Sequence, residues 1–491
     1  MSSLNCISLR VGPFVQGHRA VRLISILLGS MLLGEASAQT ASADEAAPAF
    51  ELLPYVVDES LLPFSPLPGA KAVWGISERG AGYQIETPEK WNGSLMVYLR
   101  GNGVLCEPDA GVGCSLVIEP NPLRRHAIER GFAWATTSYS DFRLFPGDHA
   151  DDVAELVEIF SRQVSEPARS YVWGISFGGV TTLTVIERYP QLFDGAMPVC
   201  TGVPEDGFRS FFDVNFAAMG LVADRDEVVA SFLEGFSFPF DAETYREEIA
   251  PRVIDALGEN YPRESNALGE KLRNVVRENS GGPRPLFDAG FDSSIVNMIT
   301  NYMEIAKPID GGSRVPIGNQ NVTFRFETKD DELLTDAEKA LNARIPRFEC
   351  DTAICRASNR PSTSPGLAGG IIVLTGDINI PVLNLQNIGD LTAPLAGAIT
   401  YSMRVRARAK STRLVQRAIR SAHHCEFHES ELVEGFDDLT DWVETYKRPK
   451  GDNLASPEVV AAPDFGCAFT REKHRLDRSF EADCGNGDSA R

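Results

Sequence analysis

Short apolar runs alternate with longer amphipathic segments between residues 94 and 200. The runs SLMVYLR, FAWATT, SYVW and GAMPVC have the length and apolar character of buried strands, and the segments between them have the length of helices. This alternation predicts a mostly parallel sheet with helices on its faces. A chain of 491 residues has room for such a core and for a large insertion.

The third of these strands leads into the pentapeptide GISFG, residues 174–178, in which Ser176 stands between two glycines. The segment VTTLTVIERYP follows with helical length and stops at Pro190. A strand, a tight turn and a helix are the setting in which this pattern holds a nucleophilic serine on strained backbone, and the glycines leave room for that turn. The helix N-terminus adds positive potential where an anion forms. The sequence therefore favours a nucleophile over a serine in an ordinary glycine-rich turn.

The alternation breaks in the middle of the chain. Residues 201–369 are mostly helical with glycine and proline interruptions, and we predict that they form a cap inserted between two halves of the core. The halves are residues 39–200 and 370–446, and residues 447–491 form a polar tail. The second half supplies the strands IPVLNLQNIGD and RLVQRAI and the helix HESELVEGFDDLTDWVETY. Apolar residues share one face of that helix: Leu432, Val433, Phe436, Leu439, Trp442, Val443 and Tyr446.

Residues 1–38 have the features of an export signal. Three arginines precede the apolar run LISILLGSMLLG, and the segment ends in the small-x-small pattern Ala36-Ser37-Ala38. The run is too short to span a bilayer, which makes an uncleaved anchor the weaker interpretation. We predict a secreted or periplasmic protein with no membrane span. The net charge of −21 argues against a nucleic-acid or anionic-membrane partner, because both would be repelled.

The cysteine content agrees with export. An even number in an oxidising compartment predicts disulfides, although the sequence does not fix the pairs. Cys106 with Cys114, and Cys350 with Cys355, are close enough to close single loops, whereas Cys425 and Cys467 could tie the tail to the body. Cys6 lies in the leader, and eight cysteines follow it: Cys106, Cys114, Cys200, Cys350, Cys355, Cys425, Cys467 and Cys484.

A serine hydroxyl needs a base to take its proton, and histidine is the usual one. His126 and His149 lie in or beside surface helices, where solvated side chains are expected, and His474 lies in the tail. The segment SAHHCEFH follows the last predicted strand, which is where such a base is expected. It contains His423, His424 and His428. A zinc site in this segment is disfavoured, because adjacent histidines point apart and a disulfide would consume the cysteine.

The base needs a carboxylate that fixes its tautomer and stabilises its charged form. Asp390 follows the strand PVLNLQNIG and precedes the histidine cluster, which gives the chain order serine, aspartate, histidine. Asp377 precedes that strand and Glu205 follows another strand, so both are rivals. A solvated loop carboxylate is the alternative for all three, and the position at a strand end favours Asp390.

An oxyanion formed at Ser176 needs backbone donors. The Phe177 amide lies next to the serine, and the turn Gly101-Asn102-Gly103 after the strand SLMVYLR offers a second donor, the Asn102 amide. A phosphate loop is disfavoured for RGNG because no G-K-[ST] follows it. We expect neither a cofactor nor a metal.

The segment from IPVLNLQNIGDLTAP through SAHHCEFHESELVEGFDDLTDWV resembles the C-terminal end of secreted bacterial α/β-hydrolases, with their G-D-x-x-x-P acid loop and G-H-C-x-F base segment. GISFGG and WNGSLMVYLRGNG fit the same superfamily, so the resemblance covers most of residues 70–200 and 370–446. It implies an α/β-hydrolase fold, in which helices flank a mostly parallel central sheet and a large, mainly helical cap is inserted. It also implies Ser176 as nucleophile, Asp390 as acid and His424 as base.

Three positions depart from the pattern of these families. His423 replaces the glycine before the base, and Arg100-Gly101 replaces the His-Gly of the oxyanion loop. Tannase- and feruloyl-esterase-like enzymes often carry, before the nucleophile, a cysteine bonded to the cysteine after the base, but this chain has Ile175. The resemblance therefore implies another partner for Cys425 and weakens the case for a tannin or feruloyl ester as substrate.

The resemblance implies an exported serine hydrolase that cleaves carboxylic esters. A peptidase or amidase of the prolyl-oligopeptidase type would use the same triad, and an inactive binding protein on a hydrolase core is a third hypothesis. Substrate choice is expected in the cap, where the stretch FRSFFDVNF (208–216) either lines an acyl pocket or belongs to an ordinary core. A small-molecule or polymeric ester is the expected substrate.

Overall fold

The computed structural model describes residue 57 and residues 59–101, 121–140, 146–237, 240–303, 318–329, 332–349, 356–357 and 372–485. All of these residues belong to one compact unit, Pro48–Arg491. Within them, no helix is both long enough and apolar enough to cross a bilayer.

A sheet of eight strands, in the order β1-β2-β4-β3-β5-β6-β9-β10, organises the fold. The pairs β1–β2 and β2–β4 are antiparallel, and every other pair in this sheet is parallel. The mostly parallel sheet predicted from the sequence is thus confirmed. The two short strands β7 and β8 pair separately. The strands are β1 (Ala70–Ile76), β2 (Gly82–Pro88), β3 (Ser94–Leu99), β4 (Ala133–Thr137), β5 (Arg169–Ile175), β6 (Gly195–Val199), β7 (Arg356–Ala357), β8 (Ile372–Val373), β9 (Val382–Asn387) and β10 (Leu414–Ile419).

The described helices flank the sheet, fill the segment between β6 and β9, or belong to the tail. Helix α6 runs through a π-helical turn, Tyr245–Ile249, into α7, and short 3₁₀ turns lie at Glu59–Leu61 and Ser411–Arg413. The helices are α1 (Arg124–Glu129), α2 (Pro146–Gln163), α3 (Phe177–Arg188), α4 (Pro204–Val222), α5 (Glu227–Glu234), α6 (Ala242–Thr244), α7 (Ala250–Leu257), α8 (Ala267–Asn279), α9 (Phe287–Asn301), α10 (Asp336–Arg344), α11 (Leu395–Ala407), α12 (Glu429–Thr445), α13 (Pro457–Val460) and α14 (Phe480–Cys484).

Each face of the sheet buries its own layer of side chains, because successive residues of a strand point to opposite faces. Val97 and Val172 pack with apolar residues of α2, α3 and α11. Tyr98 and Trp173, their neighbours in sequence, pack with residues of α1 and α12 on the other face. The central strands β3 and β6 are buried on both faces and are mostly apolar, which is why they appear in the sequence as continuous runs.

Helix α12 buries the predicted apolar stripe, with one exception. Leu432, Phe436 and Leu439 are buried against the sheet. Tyr446 was predicted on the same face, but the helix ends at Thr445 and Tyr446 takes a left-handed conformation with φ 61°. Its side chain is 87% exposed, because the change in backbone direction turns it away from the helix face.

The described part of residues 201–369 contains helices α4 to α10, the short strand β7 and the turns between them, and these helices enclose an apolar core of their own. Phe212 and Phe216 of α4 pack there. The buried Tyr245 hydroxyl donates to Asn215 Oδ1 and to the carbonyl of Ile299 at 2.9 Å. Burial raises the pKa of Tyr245. The role of this segment as a cap stays a prediction.

The tail packs along β10, the last strand of the sheet. The Asp452 amide donates to the Gln416 carbonyl at 2.7 Å, and the Ala418 amide donates to Asp452 Oδ2 at 2.7 Å. Leu454 and Phe465 pack with the buried Ile388. The Gln416 carbonyl and the Ala418 amide of β10 are thus paired with the tail, which leaves less of this edge open to pairing with another strand.

A buried arginine anchors the tail to the end of β10. Arg420 is fully buried, and its Nε donates to the equally buried Asp477 at 2.8 Å. Asp483 accepts a further bond from the same guanidinium at 2.8 Å. A disulfide joins Cys467 to Cys484 within the tail, so the suggestion that Cys467 ties the tail to the body is wrong.

Candidate active site

Ser176 occupies the turn between β5 and α3 with φ 56° and ψ −120°, a backbone conformation that residues other than glycine rarely adopt. Its amide donates to the Val199 carbonyl at 3.0 Å, which holds the turn against β6. A Cβ on Gly174 would lie 2.3 Å from the Gly178 carbonyl oxygen, and one on Gly178 would lie 2.1 Å from the Leu99 oxygen. The two glycines are therefore required by backbone packing.

His424 lies in the loop that follows β10. Its Nε2 is 2.7 Å from Ser176 Oγ, and its Nδ1 is 2.6 Å from Asp390 Oδ2. A carboxylate at Nδ1 keeps the proton on that nitrogen and leaves Nε2 free to accept the serine proton. Burial lowers the pKa of His424, but the charge and the hydrogen bond of Asp390 outweigh it, so the pKa is raised above 6.5.

Asp390 lies in the loop after β9 and is 1% exposed. Oδ2 faces His424, while Oδ1 accepts the Thr392 amide at 2.8 Å and the Ala393 amide at 3.1 Å. Both oxygens of this buried carboxylate therefore have hydrogen-bond partners. The parallel strands β5, β9 and β10 end on the same edge of the sheet, and their loops bring together the serine, the aspartate and the histidine.

The segment between β6 and β9 contacts the acid loop directly. A Cβ on Gly290 of α9 would lie 1.8 Å from the Gly389 carbonyl oxygen. The buried Arg284 donates to the Ile388 carbonyl and to Ser280 Oγ, the latter at 3.1 Å. Burial lowers the pKa of Arg284 to about 10, and the negative charge of Asp390 opposes this shift. Sequence reasoning missed Arg284, and no motif marks it.

The other described histidines have partners elsewhere. His423 contacts the Arg475 guanidinium, and His126 Nε2 lies 2.6 Å from Asp437 Oδ1. His428 stacks against His474 with ring centroids 4.3 Å apart. The expectation that His149 is solvated is wrong, because its ring is buried and stacks on the Tyr139 ring at 4.0 Å. His474 of the tail is also buried, with Nε2 3.2 Å from Glu431 Oε1.

The remaining predicted site residues have varied positions. Asp377, the rival acid, has a half-exposed side chain 3.6 Å from Lys410. The Phe177 amide begins α3 directly after the nucleophile turn. Gly101 packs against Ser176, because a Cβ on it would lie 3.3 Å from the serine Cβ. Asn102 and the side chain of Glu205 lie outside the described residues, so the second oxyanion donor stays a prediction. Nowhere in the described ranges do three or more metal-binding side chains form a cluster.

A disulfide links the strand beside the nucleophile to the loop of the histidine. Cys200 follows β6 and is bonded to Cys425, the residue after His424. The Ser176 amide lies 3.2 Å from Cys200 Sγ, so the crosslink reaches both sides of the site. The suggestion that Cys425 ties the tail to the body is therefore wrong. The remaining predicted loop disulfides involve Cys106, Cys114, Cys350 and Cys355, which lie outside the described residues.

Comparisons with known proteins give a match to one family model and a similarity to one curated protein, and each covers only part of this chain. The model of the Prolyl oligopeptidase family matches residues 129–216, which include the nucleophile turn. An o-phthalyl amidase from Xanthobacter agilis is 28% identical over 149 residues, a match that spans 30% of this chain and 30% of the amidase.

Solved structures give distant likenesses. Feruloyl esterase B from Aspergillus oryzae is 14% identical with a TM-score of 0.41, over 77% of this chain and 82% of the esterase. An acylaminoacyl peptidase from Pyrococcus horikoshii is 10% identical with a TM-score of 0.34, over 78% of this chain and 43% of the peptidase. These likenesses say nothing about the substrate. The strand order and the nucleophile turn are those of an α/β-hydrolase fold, and the segment that contains this turn matches the model of the Prolyl oligopeptidase family.

Proposed function

We propose that this protein is an exported serine hydrolase that cleaves carboxylic esters. The observation that carries the proposal is the hydrogen-bonded series of Ser176 Oγ, His424 and Asp390, with separations of 2.7 Å and 2.6 Å. A hydroxyl within reach of an imidazole that a buried carboxylate orients is the arrangement that turns serine into a nucleophile.

In the proposed reaction, His424 Nε2 accepts the proton of Ser176 Oγ as the oxygen attacks the ester carbonyl. Asp390 stabilises the resulting imidazolium, and the Phe177 amide at the start of α3 stabilises the oxyanion, with the Asn102 amide as the proposed second donor. The imidazolium then gives its proton to the leaving alcohol, and the acyl group stays on the serine. Water activated by the same histidine releases the acid and restores the serine.

The export signal predicted in residues 1–38 and the disulfides of the folded chain support a location outside the cytoplasm. A reducing cytoplasm would keep the four cysteines of these two disulfides as thiols. We therefore propose a periplasmic or extracellular enzyme.

An amidase or peptidase is the second candidate, because the family match and the o-phthalyl amidase similarity both include proteins named for amide chemistry. The same triad can cleave either an ester bond or an amide bond, so it does not distinguish the two candidates. Turnover of p-nitrophenyl acetate without turnover of aminoacyl anilides would favour the esterase, and the reverse result would favour the second candidate.

The test of the nucleophile is Ser176→Ala in the oxidised protein. We expect this variant to lose turnover of short p-nitrophenyl esters by a factor of about 10⁴ or more while it keeps its circular dichroism and melting temperature. A fluorophosphonate probe should label the wild type and leave the variant unlabelled. Full activity in the variant would remove Ser176 from the mechanism, and an unlabelled, inactive wild type would favour a binding protein on a hydrolase core.

A further inference from the structure

A cavity of about 380 Å³ opens beside Ser176 and His424. Pockets for small ligands typically measure roughly 300–1,000 Å³, so this one suits a compact group. An apolar cavity of about 150 Å³ already holds a benzene molecule. The cavity therefore has room for an aromatic ring or for a chain of several methylene groups next to the attacking oxygen.

The described walls of the cavity are mainly apolar, with hydroxyl groups from Thr201, Tyr302 and Thr392, and they carry no fixed charge. Val180, Phe211 and Pro394 contribute to these walls, and the ring centroids of Phe211 and Tyr302 lie 4.7 Å apart. Among the side chains that the structure describes there, no lysine, arginine, aspartate or glutamate is present, and His424 belongs to the triad. A carboxylate or ammonium group bound in this space would lose its hydration and meet no oppositely charged side chain among the described residues, which costs several kcal/mol.

Gly207 occupies a special position in this wall. It lies four residues before Phe211 on α4, so the two residues share one face of the helix. A Cβ built on Gly207 meets no heavy atom within 4 Å. By contrast, a Cβ on Gly202, another lining residue, would lie 2.3 Å from the carbonyl carbon of Gly397. Gly202 is required by backbone packing, whereas the absence of a side chain at Gly207 leaves open space along the cavity.

We propose that this cavity binds an uncharged, apolar acyl group, and that Gly207 sets the size of the largest group accepted. The proposal rests on the esterase function and names its substrate class. Phe211 and Tyr302 form the wall against which the acyl group packs, and the missing side chain at Gly207 provides the depth.

The test compares three p-nitrophenyl esters: the acetate, the hexanoate and the adipate monoester, which differs from the hexanoate by a terminal carboxylate. For the wild type we expect kcat/KM for the hexanoate to exceed that for the adipate monoester by about 100-fold, because the carboxylate loses its hydration and finds no cationic partner among the described lining residues. Gly207→Leu should lower kcat/KM for the hexanoate by about 10-fold or more and change that for the acetate by less than about threefold. Gly207→Ala should lie between the two.

The control variant is Glu227→Leu, which adds a leucine at an exposed position of the neighbouring helix α5 and should leave the hexanoate-to-acetate ratio unchanged. Leucine favours a helix more than glycine does, so Gly207→Leu should keep the melting temperature. An unchanged ratio in Gly207→Leu, or equal rates for the hexanoate and the adipate monoester in the wild type, would overturn the proposal.

Binding without turnover separates this proposal from the esterase function. In the Ser176→Ala protein, hexanamide should bind in ligand-observed NMR, and the additional change Gly207→Leu should abolish that binding. If hexanamide behaves in this way while the wild type hydrolyses no ester, the pocket stands and the esterase function fails. If esters are hydrolysed but hexanamide binds equally with and without Gly207→Leu, the role of Gly207 fails.

Discussion

The position of each proton at the triad depends on Asp390. Both of its carboxylate oxygens accept hydrogen bonds, one from His424 Nδ1 and the other from two backbone amides of its own loop. The carboxylate therefore cannot rotate away without losing several hydrogen bonds in a buried site, where each unmade bond costs about 1–3 kcal/mol. This fixed carboxylate orients the imidazole toward Ser176.

Asp390→Asn should lower kcat by about 10⁴-fold, because an amide favours the wrong tautomer of His424 and does not stabilise the imidazolium. Ester turnover under saturating substrate measures the effect. Asp377→Asn is the matched control, since Asp377 is the rival acid of the sequence and its side chain faces Lys410. If Asp377→Asn lost activity and Asp390→Asn kept it, the assignment of the acid would be reversed.

The pH dependence of the reaction follows from the raised pKa of His424. The base must be neutral to accept a proton, so kcat/KM should fall as the pH drops through a pKa above 6.5. Asp390→Asn removes the negative charge that raises the pKa of His424, while the burial that lowers this pKa remains. In the residual activity of this variant the inflection should therefore move to lower pH. A pH profile from 5 to 9 for both proteins measures the shift, and an inflection that stays in place would contradict the assigned coupling.

At the level of elements, the loop that carries Asp390 is held by a helix from the segment between β6 and β9. Helix α9 approaches so closely at Gly290 that no side chain fits against the Gly389 carbonyl. Arg284, just before this helix, donates to the carbonyl of the preceding residue, Ile388. The predicted cap therefore contributes to the position of the triad acid, in addition to the wall of the pocket.

Gly290→Ala tests this contact. In an ordinary helix this change stabilises by up to about 1 kcal/mol, but here the new methyl would lie 1.8 Å from the Gly389 oxygen and must displace the acid loop or the helix. We expect kcat to fall by about 10-fold or more and the melting temperature to drop. Asn297→Ala, at an exposed position of the same helix, should change neither quantity. A Gly290→Ala protein with wild-type kcat would show that the acid loop does not depend on this contact.

For the molecule as a whole, the sequence predicted the sheet, its flanking helices and the three residues that the structure brings together. These features have local signals: apolar runs, helical periodicity, and glycines around a serine. Contacts between distant segments have none. The anchoring of Arg420 by Asp477, the burial of His149, the approach of Gly290 and the partner of Cys425 all depend on packing between segments far apart in the chain.

The buried ion pair of the tail yields a prediction at this scale. Asp477→Asn leaves the fully buried Arg420 without its fully buried carboxylate partner, and loss of one partner of a buried pair typically costs about 3–5 kcal/mol. Since Asp483 remains, we expect the free energy of unfolding to fall by about 3 kcal/mol, measured as a lower urea midpoint under oxidising conditions. Glu481→Gln, which breaks the exposed pair with Lys473, is the control and should leave the midpoint nearly unchanged. Equal midpoints for the two variants would contradict a stabilising role for the buried pair.

The covalent bond between Cys200 and Cys425 has a practical consequence for anyone who produces this protein. Bacterial cytosol keeps thiols reduced, so a chain overexpressed there would carry the imidazole on an untethered loop. Preparations of the chain without residues 1–38 from the cytosol, and of the exported chain from the periplasm, would then differ in specific activity. Thiol titration before any assay distinguishes a protein with low intrinsic activity from one in which the disulfide has not formed.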